Sequence, residues 1–260
     1  MKQKVHKQTT VKIISFIVFA TILLPILLLL TSCGAHSIGD FTYEYDYFNQ
    51  EKVVVITGLT KLGQKKEVIV IPESIKGYRV IGLEKSAPYF LDDPTTTLES
   101  ENLTALYLYR KIGLEVKMEC PNLKKVFVIN ANDDISLVQQ GVGSRELEDK
   151  CYIYNEVHFN RAGHYPMPPY PANVTYYYNY EGAENYGCYW LDNLDDGEKI
   201  AYIPSDPTRE GYKFDGWYHE PECITKWDFE TDTVKSSGEE GYADKDKFIE
   251  NKLYAKWTKK

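Results

Sequence analysis

Apolar positions follow two different patterns along the chain. From Ile13 to Leu30 apolar side chains run almost without interruption, behind a segment whose only charged side chains are lysines. From Phe41 onward, apolar and aromatic residues instead alternate with polar ones over short stretches, which is the period of a half-buried β-strand. The pattern therefore predicts a mainly β protein behind a separate apolar leader.

The leader has the parts of a secretory signal peptide. Residues 1–32 combine a lysine-bearing start, the apolar run and small residues before Cys33. The ending Leu30-Thr31-Ser32-Cys33 resembles the bacterial lipobox, in which the cysteine is acylated and becomes the first mature residue. The alternative is an uncleaved anchor, because an 18-residue run broken only by Ser15, Thr21 and Pro25 approaches the length that spans a membrane. Both interpretations place the remaining chain outside the cytoplasm, at a membrane.

Residues 41–157 carry strand signals and a short repeat, after a tether at 33–40. The pattern predicts a hairpin from Phe41 with a turn at Thr57-Gly58, followed by strands at 67–71 and 78–82. The segments NLTALYL (102–108) and NLKKVFV (122–128) then recur at an offset of 20 residues. Such recurrence predicts a solenoid, in which each coil adds one short strand to a sheet.

The C-terminal part begins after a proline-rich segment. Residues 158–173 contain prolines at 166, 168, 169 and 171, which favours a semi-rigid linker. Strand alternation then resumes from Val174 to Tyr180, and Gly216 should let the backbone kink before Trp217. The segment 235–251 is expected to be an exposed loop with a helical turn at 244–249.

Two family resemblances rest on these segments. Residues 41–157 resemble the BspA-type leucine-rich repeats of bacterial surface proteins. The resemblance rests on the segments FTYEYD and VIVIPESIKGYRVIGLEKSA and on the two Asn-Leu coils. Residues 174–258 resemble the internalin-B B-repeat, also called the Listeria–Bacteroides repeat, on DPTREGY, FDGWY and LYAKW. The resemblances imply a short leucine-rich-repeat solenoid followed by a small β-grasp (ubiquitin-like) domain, and the first family is associated with adhesion and protein binding. The segment 235–251 is longer than the second family's usual link.

The aromatic side chains of the C-terminal part could form either a core or a binding platform. A domain of this size buries little surface, so large aromatic residues contribute most to its core. We expect Tyr212, Phe214, Trp217, Trp227, Phe229, Tyr254 and Trp257 to be core residues. Tyr218 alternates to the other face of its strand, so the sequence predicts that it is exposed and is the candidate ligand contact.

The cysteines have separate expected roles. Cys33 would carry the lipid, and Cys120 is expected in the core. Cys188 and Cys223 could pair in a disulfide, because the protein is exported, or remain buried thiols that pack as small hydrophobic groups.

The charge balance limits the partners. Removing residues 1–32 takes four of the 30 basic residues and none of the 38 acidic ones, so 26 basic residues remain and the net charge becomes −12. Such a surface repels phosphate backbones, so no nucleic acid partner is expected. It also repels anionic lipid headgroups, so the predicted contact with the membrane is the N-terminal lipid.

The sequence lacks the motifs of catalytic, metal and cofactor sites. It contains no Gly-x-Ser-x-Gly, P-loop or Rossmann pattern, and His219 with Cys223 lacks a second ligand pair for zinc. In the acidic turn Asp192–Gly197, Leu194 occupies a position where calcium needs a ligand. We therefore predict that the protein is not an enzyme and has no catalytic residue, metal or cofactor. The expected function is a surface-displayed binding or adhesion module for an unidentified protein or glycan ligand. The alternative is an envelope-structural spacer without a specific ligand.

Overall fold

The protein is mainly β. The computed structural model describes residues 36–82, 97–109, 117–129, 152–156 and 170–260, and Ser37–Lys260 form one compact unit. The strands of the described residues are β1 (His36–Ile38), β2 (Phe41–Phe48), β3 (Glu51–Leu59), β4 (Val68–Ile71), β5 (Ser74–Ile75), β6 (Tyr78–Gly82), β7 (Thr97–Glu99), β8 (Ala105–Tyr109), β9 (Lys117–Glu119), β10 (Lys125–Ile129), β11 (Tyr152–Asn155), β12 (Tyr170–Pro171), β13 (Val174–Tyr177), β14 (Cys188–Asp192), β15 (Tyr212–Tyr218) and β16 (Asn251–Lys259).

Helices contribute little to the described residues. They are the α-helix α1 (Glu239–Ala243) and the short 3-10 helices Gly63–Lys65 and Asn185–Gly187. In the part of the chain that the structure describes, no helix has the length and apolar character needed to cross a membrane.

The first sheet is built around the predicted hairpin. Its strand order is β1-β2-β3-β6-β5, and β2 pairs antiparallel with β3 from Phe48↔Glu51 outward. The turn consists of Asn49 and Gln50, both with positive φ (50° and 67°), which matches the twist of a two-residue hairpin. The turn predicted at Thr57-Gly58 was wrong, because both residues lie within β3 and a bulge next to Tyr43 adjusts the register there.

The 20-residue repeat forms a parallel sheet. Its order is β12-β11-β10-β8-β4, and the register places Leu106 beside Val126 and Leu108 beside Val128. All four side chains are buried on one face. Strand β7 pairs parallel with β9 in a separate two-stranded sheet.

The recurring asparagines each bond to the backbone of an earlier segment. Asn102 Nδ2 donates to the carbonyl of Gln64 at 3.0 Å, and Asn122 Nδ2 donates to the carbonyl of Glu101 at 2.8 Å. Each asparagine thus donates to a backbone acceptor of the preceding segment, and Ser100 Oγ donates to the same Gln64 carbonyl at 2.9 Å. The Asn-Leu pattern therefore has a direct structural role.

The C-terminal sheet is mixed. Its order is β14-β13-β16-β15, with β13 and β16 parallel in the centre and antiparallel strands at both edges. Gly216 has φ 114° and the register shifts between Phe214 and Trp217, so the predicted kink is present. In the segment 235–251, α1 precedes a turn in which the N–H of Phe248 donates to the carbonyl of Asp244 at 3.2 Å.

An aromatic ladder joins the parallel sheet to the C-terminal sheet. It consists of Tyr107, Phe127 and Tyr154, which occupy neighbouring positions on β8, β10 and β11 and face away from the leucine side. Their ring centroids lie 4.5 and 5.3 Å apart, and Trp190 of β14 stacks on Tyr107 at 3.9 Å. The ladder therefore belongs to the same hydrophobic core as the C-terminal sheet.

The predicted tether and the predicted linker each contain a short strand. In the tether 33–40, β1 begins at His36 and the carboxylate of Asp40 pairs with Lys66 at 2.6 Å. In the linker 158–173, β12 pairs parallel with β11, and both Ala172 and Asn173 are buried. The division into a repeat domain and a C-terminal domain stays a prediction.

Candidate functional site

A cleft opens between strands β10 and β11 of the parallel sheet and the C-terminal part. We call it the junction cleft; its volume is about 370 Å³. The parallel sheet and the residue before β10 contribute Lys124, Lys125, Tyr152 and Tyr154, and the C-terminal part contributes Asn193, Asp195, Ser236, Gly238, Glu239 and Tyr242. The cleft thus requires both parts of the chain.

Tyrosines form the apolar surface of the junction cleft. Tyr152 and Tyr154 lie two positions apart on β11, so they share one face of the strand. Their rings stack with centroids 6.1 Å apart, and Tyr170 of β12 lies 6.0 Å from Tyr152. Tyr170 in turn stacks on Tyr242 of α1 at 4.8 Å. Tyr154 is buried whereas Tyr152 is 47% exposed, so the row ends in an accessible ring.

Asn193, which follows β14, holds the floor of the cleft in place. Its Nδ2 donates to the Tyr154 hydroxyl at 3.0 Å, and its Oδ1 accepts from the Tyr242 hydroxyl at 3.4 Å and from the N–H of Asn173 at 3.2 Å. The ammonium of Lys125 donates to the backbone carbonyl of Asn193. These bonds connect β11, α1 and the start of β13 through one side chain, so the floor is rigid.

The charges around the cleft are of both signs. Lys124, Asp195 and Glu239 are exposed, and Lys125 is half-buried. Behind the floor, burial raises the pKa of Asp192 to about 6, although the neighbouring Lys125 opposes that rise. Burial also raises the pKa of the Tyr154 and Tyr242 hydroxyls, which therefore stay neutral phenols near pH 7.

The predicted exposure of Tyr218 was wrong. Tyr218 is 9% exposed and lies beside Tyr254 of β16, with the Lys256 ammonium 4.8 Å from its ring centroid. The bulge at Gly216 breaks the strict alternation of β15, so Trp217 and Tyr218 are both buried. Tyr218 is thus covered by its own sheet.

The expected aromatic core is present around Trp217. Trp217 and Trp227 are buried, and Phe214, Phe229 and Trp257 pack partly buried against the same core. Tyr212 and Tyr254 lie outside that core and are half-buried; Tyr212 lies against the guanidinium of Arg209 at 3.8 Å, and Tyr254 stacks on Tyr177 at 5.4 Å. Most of the predicted set therefore packs rather than binds.

The described cysteines are unpaired thiols in different parts of the fold. Cys188 and Cys223 are both free thiols, so the disulfide is not formed in this structure. Cys188 is buried on β14 and donates to the carbonyl of Trp190 at 3.8 Å, and burial raises its pKa. Cys223 lies in a turn with φ 55° next to Asn179. Cys120 is half-buried against the leucine core, and Cys33 lies outside the described residues.

The weak metal candidates have other contacts. His219 Nε2 pairs with Asp232 Oδ2 at 3.0 Å, and in the acidic turn Asp192 Oδ1 accepts from the N–H of Asn193 at 2.7 Å. Within residues 36–82, 97–109, 117–129, 152–156 and 170–260, no three His, Cys, Asp or Glu side chains are grouped as metal ligands.

Sequence reasoning missed the residues of the junction cleft. The alternation of Tyr152 and Tyr154 in CYIYNEVHF signals a tyrosine-bearing strand face and could have indicated them. Tyr242 lies in the segment 235–251, and Asn193 lies in the acidic turn. Nothing in either local pattern predicts that the fold brings them to β11.

Comparison with known proteins gives one match. No curated protein and no solved structure matches the chain. Residues 173–243 match the Listeria-Bacteroides repeat domain, from the residue before β13 to the end of α1, and β16 lies beyond the match. This part of the chain is therefore a Listeria-Bacteroides repeat domain, a kind of domain typical of bacterial surface proteins.

Proposed function

We propose that the chain is a surface lipoprotein, anchored outside the cytoplasm by acyl chains on Cys33, that binds a ligand in the junction cleft without catalysing a reaction. One observation carries the binding role: Tyr152 is an exposed ring on a rigid floor, in a cleft built by both parts of the chain. Exposed aromatic rings on fixed supports are typical of recognition surfaces, because little conformational freedom is lost on binding.

The proposed folds are a leucine-rich-repeat solenoid and a β-grasp domain. A leucine-rich-repeat solenoid is supported by the parallel register of β8 and β10 and by the asparagines that join successive coils. A β-grasp fold is supported by the order β14-β13-β16-β15, in which the first and last strands of the domain are the parallel central pair. The α-helix α1 lies between β15 and β16.

The proposed membrane attachment and ligand class rest on the N-terminal cysteine and on the net charge. Acyl chains on Cys33 would attach the protein to the membrane, since a mature net charge of −12 repels anionic headgroups. The same charge makes nucleic acid an unfavourable partner. The proposed ligand is a protein or a glycan of the surroundings.

An envelope spacer is the second candidate function. It is favoured by the shared aromatic core, which joins the two parts of the chain in one body that could hold a distance from the membrane. A spacer needs no exposed ring in a cleft, so the fate of Tyr152 variants separates the two functions.

The test compares Tyr152→Ala with a matched control. Tyr47→Ala removes the same side chain from a hairpin position that is 68% exposed, on a strand that contributes no residue to the cleft lining. The full chain in mild detergent is co-sedimented with isolated bacterial cell walls and, separately, with particles coated with host extracellular matrix. Binding to either that falls about tenfold or more in Tyr152→Ala alone supports the proposal. Equal binding of both variants, or no binding at all, would favour the spacer.

A further inference from the structure

We propose that the junction cleft binds a sugar ring of an electrically neutral glycan, with the ring stacked on Tyr152. This inference rests on the proposed binding function and names its ligand class. It follows from three properties of the cleft: an apolar ring at the mouth, hydrogen-bonding groups of both kinds, and balanced charge.

The exposed ring suits the apolar face of a sugar. A pyranose carries C–H groups on its faces and hydroxyls around its rim, so it packs face-on against an aromatic ring. Tyr152 offers such a ring and is fixed by Tyr154 behind it at 6.1 Å and by Tyr170 beside it at 6.0 Å. Because the platform is already ordered, stacking costs little conformational entropy.

The remaining groups suit the hydroxyl rim. Each sugar hydroxyl can donate one hydrogen bond and accept others. The cleft offers an ammonium donor on Lys124, carboxylate acceptors on Asp195 and Glu239, and the hydroxyl of Ser236. A peptide backbone would need an extended strand edge or groove, whereas these groups surround a short cleft.

The charges argue against an ionic ligand. Two lysines, Lys124 and Lys125, and two acids, Asp195 and Glu239, line the same cleft. Because each pair attracts the ion that the other repels, the cleft offers little net attraction to an anionic or a cationic ligand, and a neutral ligand gives up no ionic interaction by binding there. The tyrosine hydroxyls add no charge near pH 7, because burial raises the pKa of Tyr154 and Tyr242.

The volume limits the length of the ligand. About 370 Å³ lies near the lower end of the roughly 300–1,000 Å³ range of ligand pockets. The cleft therefore accommodates one or two sugar rings of a longer chain, and the rest of that chain would leave through the open mouth.

Soluble neutral trisaccharides test the inference with the full chain in detergent. β-1,4-linked trisaccharides of N-acetylglucosamine, glucose and mannose are titrated by calorimetry, beside hexaglutamate and hexalysine as charged probes. At least one trisaccharide should bind, and Tyr152→Ala should weaken it about tenfold or more. Tyr152→Phe, which keeps the ring, and Tyr47→Ala should stay within about threefold of the wild type.

Two further outcomes separate this inference from the proposed function. Glu239→Gln keeps the size of an exposed side chain and should weaken the sugar several-fold without changing the melting temperature. If no trisaccharide binds, or if hexaglutamate or hexalysine binds more tightly, the sugar inference is overturned. Sedimentation with cell walls or matrix that still depends on Tyr152 would then leave the binding function standing with a different ligand.

Discussion

At the scale of single residues, burial decides which aromatic side chains stabilise and which can bind. Trp217 is 3% exposed and packs edge-on to Tyr176 at 4.9 Å and stacked on Tyr189 at 5.6 Å. Tyr152 carries a similar apolar ring but ends its row at the surface. The surrounding side chains thus make the aromatic ring of Trp217 a core residue and leave that of Tyr152 accessible to a ligand.

Trp217→Ala should lower the free energy of unfolding by about 3–5 kcal/mol, because it removes a large ring from a packed core. The control Tyr47→Ala should change it by about 0.5 kcal/mol or less, as at other exposed positions. Thermal melts of both variants provide the measurement. A fully stable Trp217→Ala variant would contradict the core assignment.

The buried carboxyl of Asp192 should make stability depend on pH. Its pKa rises from 3.8 to about 6 on folding, so between these values the folded state binds more protons than the unfolded state. The free energy of unfolding should therefore fall by about 2 kcal/mol as pH rises from 4 to 7. Asp192→Asn lacks this titration, so denaturant unfolding of variant and wild type should differ by a pH-dependent amount. A constant difference would show that Asp192 does not titrate in this range.

At the scale of elements, the local sequence pattern predicted where strands lie better than it predicted which distant strands they contact. Alternation located β2, β13 and β15, and the 20-residue offset gave the pairing of β8 with β10. It could not reveal that Tyr107 and Phe127, on the second face of that sheet, receive Trp190 from a strand more than 60 residues away. Contacts between distant segments produce no periodic pattern of apolar residues in either segment.

Asn193→Ala should loosen the contact among β11, α1 and β13. The change leaves the Tyr154 hydroxyl, the Tyr242 hydroxyl and the N–H of Asn173 without their shared partner. We expect a loss of about 1–3 kcal/mol for each group that stays buried and unpaired. Asn122→Ala, which removes one exposed hydrogen bond, should cost only about 0.5–1.5 kcal/mol. Urea unfolding measures both; equal losses would argue against the joining role of Asn193.

At the scale of the whole molecule, the sequence pattern predicts two units, and one of the two hydrophobic clusters in the described residues contains side chains from both. The prolines and the change of repeat pattern placed a boundary at 158–173, and those signals are local. In the structure β12 pairs with β11, and the aromatic ladder packs against Trp190. Whether either part folds alone depends on how much stability this shared surface supplies.

We expect one cooperative unfolding transition for residues 37–260, because separating the parts would expose the aromatic ladder. All four tryptophans lie at or after position 190, so their fluorescence reports the C-terminal part. Hydrogen exchange at β8 and β10 reports the parallel sheet. The two midpoints should coincide in denaturant, and Trp190→Ala should lower both. Well-separated midpoints would instead support independent domains.

The short connection between β12 and β13 also has a mechanical consequence. Only Ala172 and Asn173 separate the two strands, and both are buried. Two extended residues span about 7 Å, so the connection holds almost no spare length. For a protein tethered at one end, a pull on the C-terminal sheet would pass to the parallel sheet at once, without an elastic segment between them. The connection between β12 and β13 would transmit tension without extending, so the first event under load would be the rupture of a sheet.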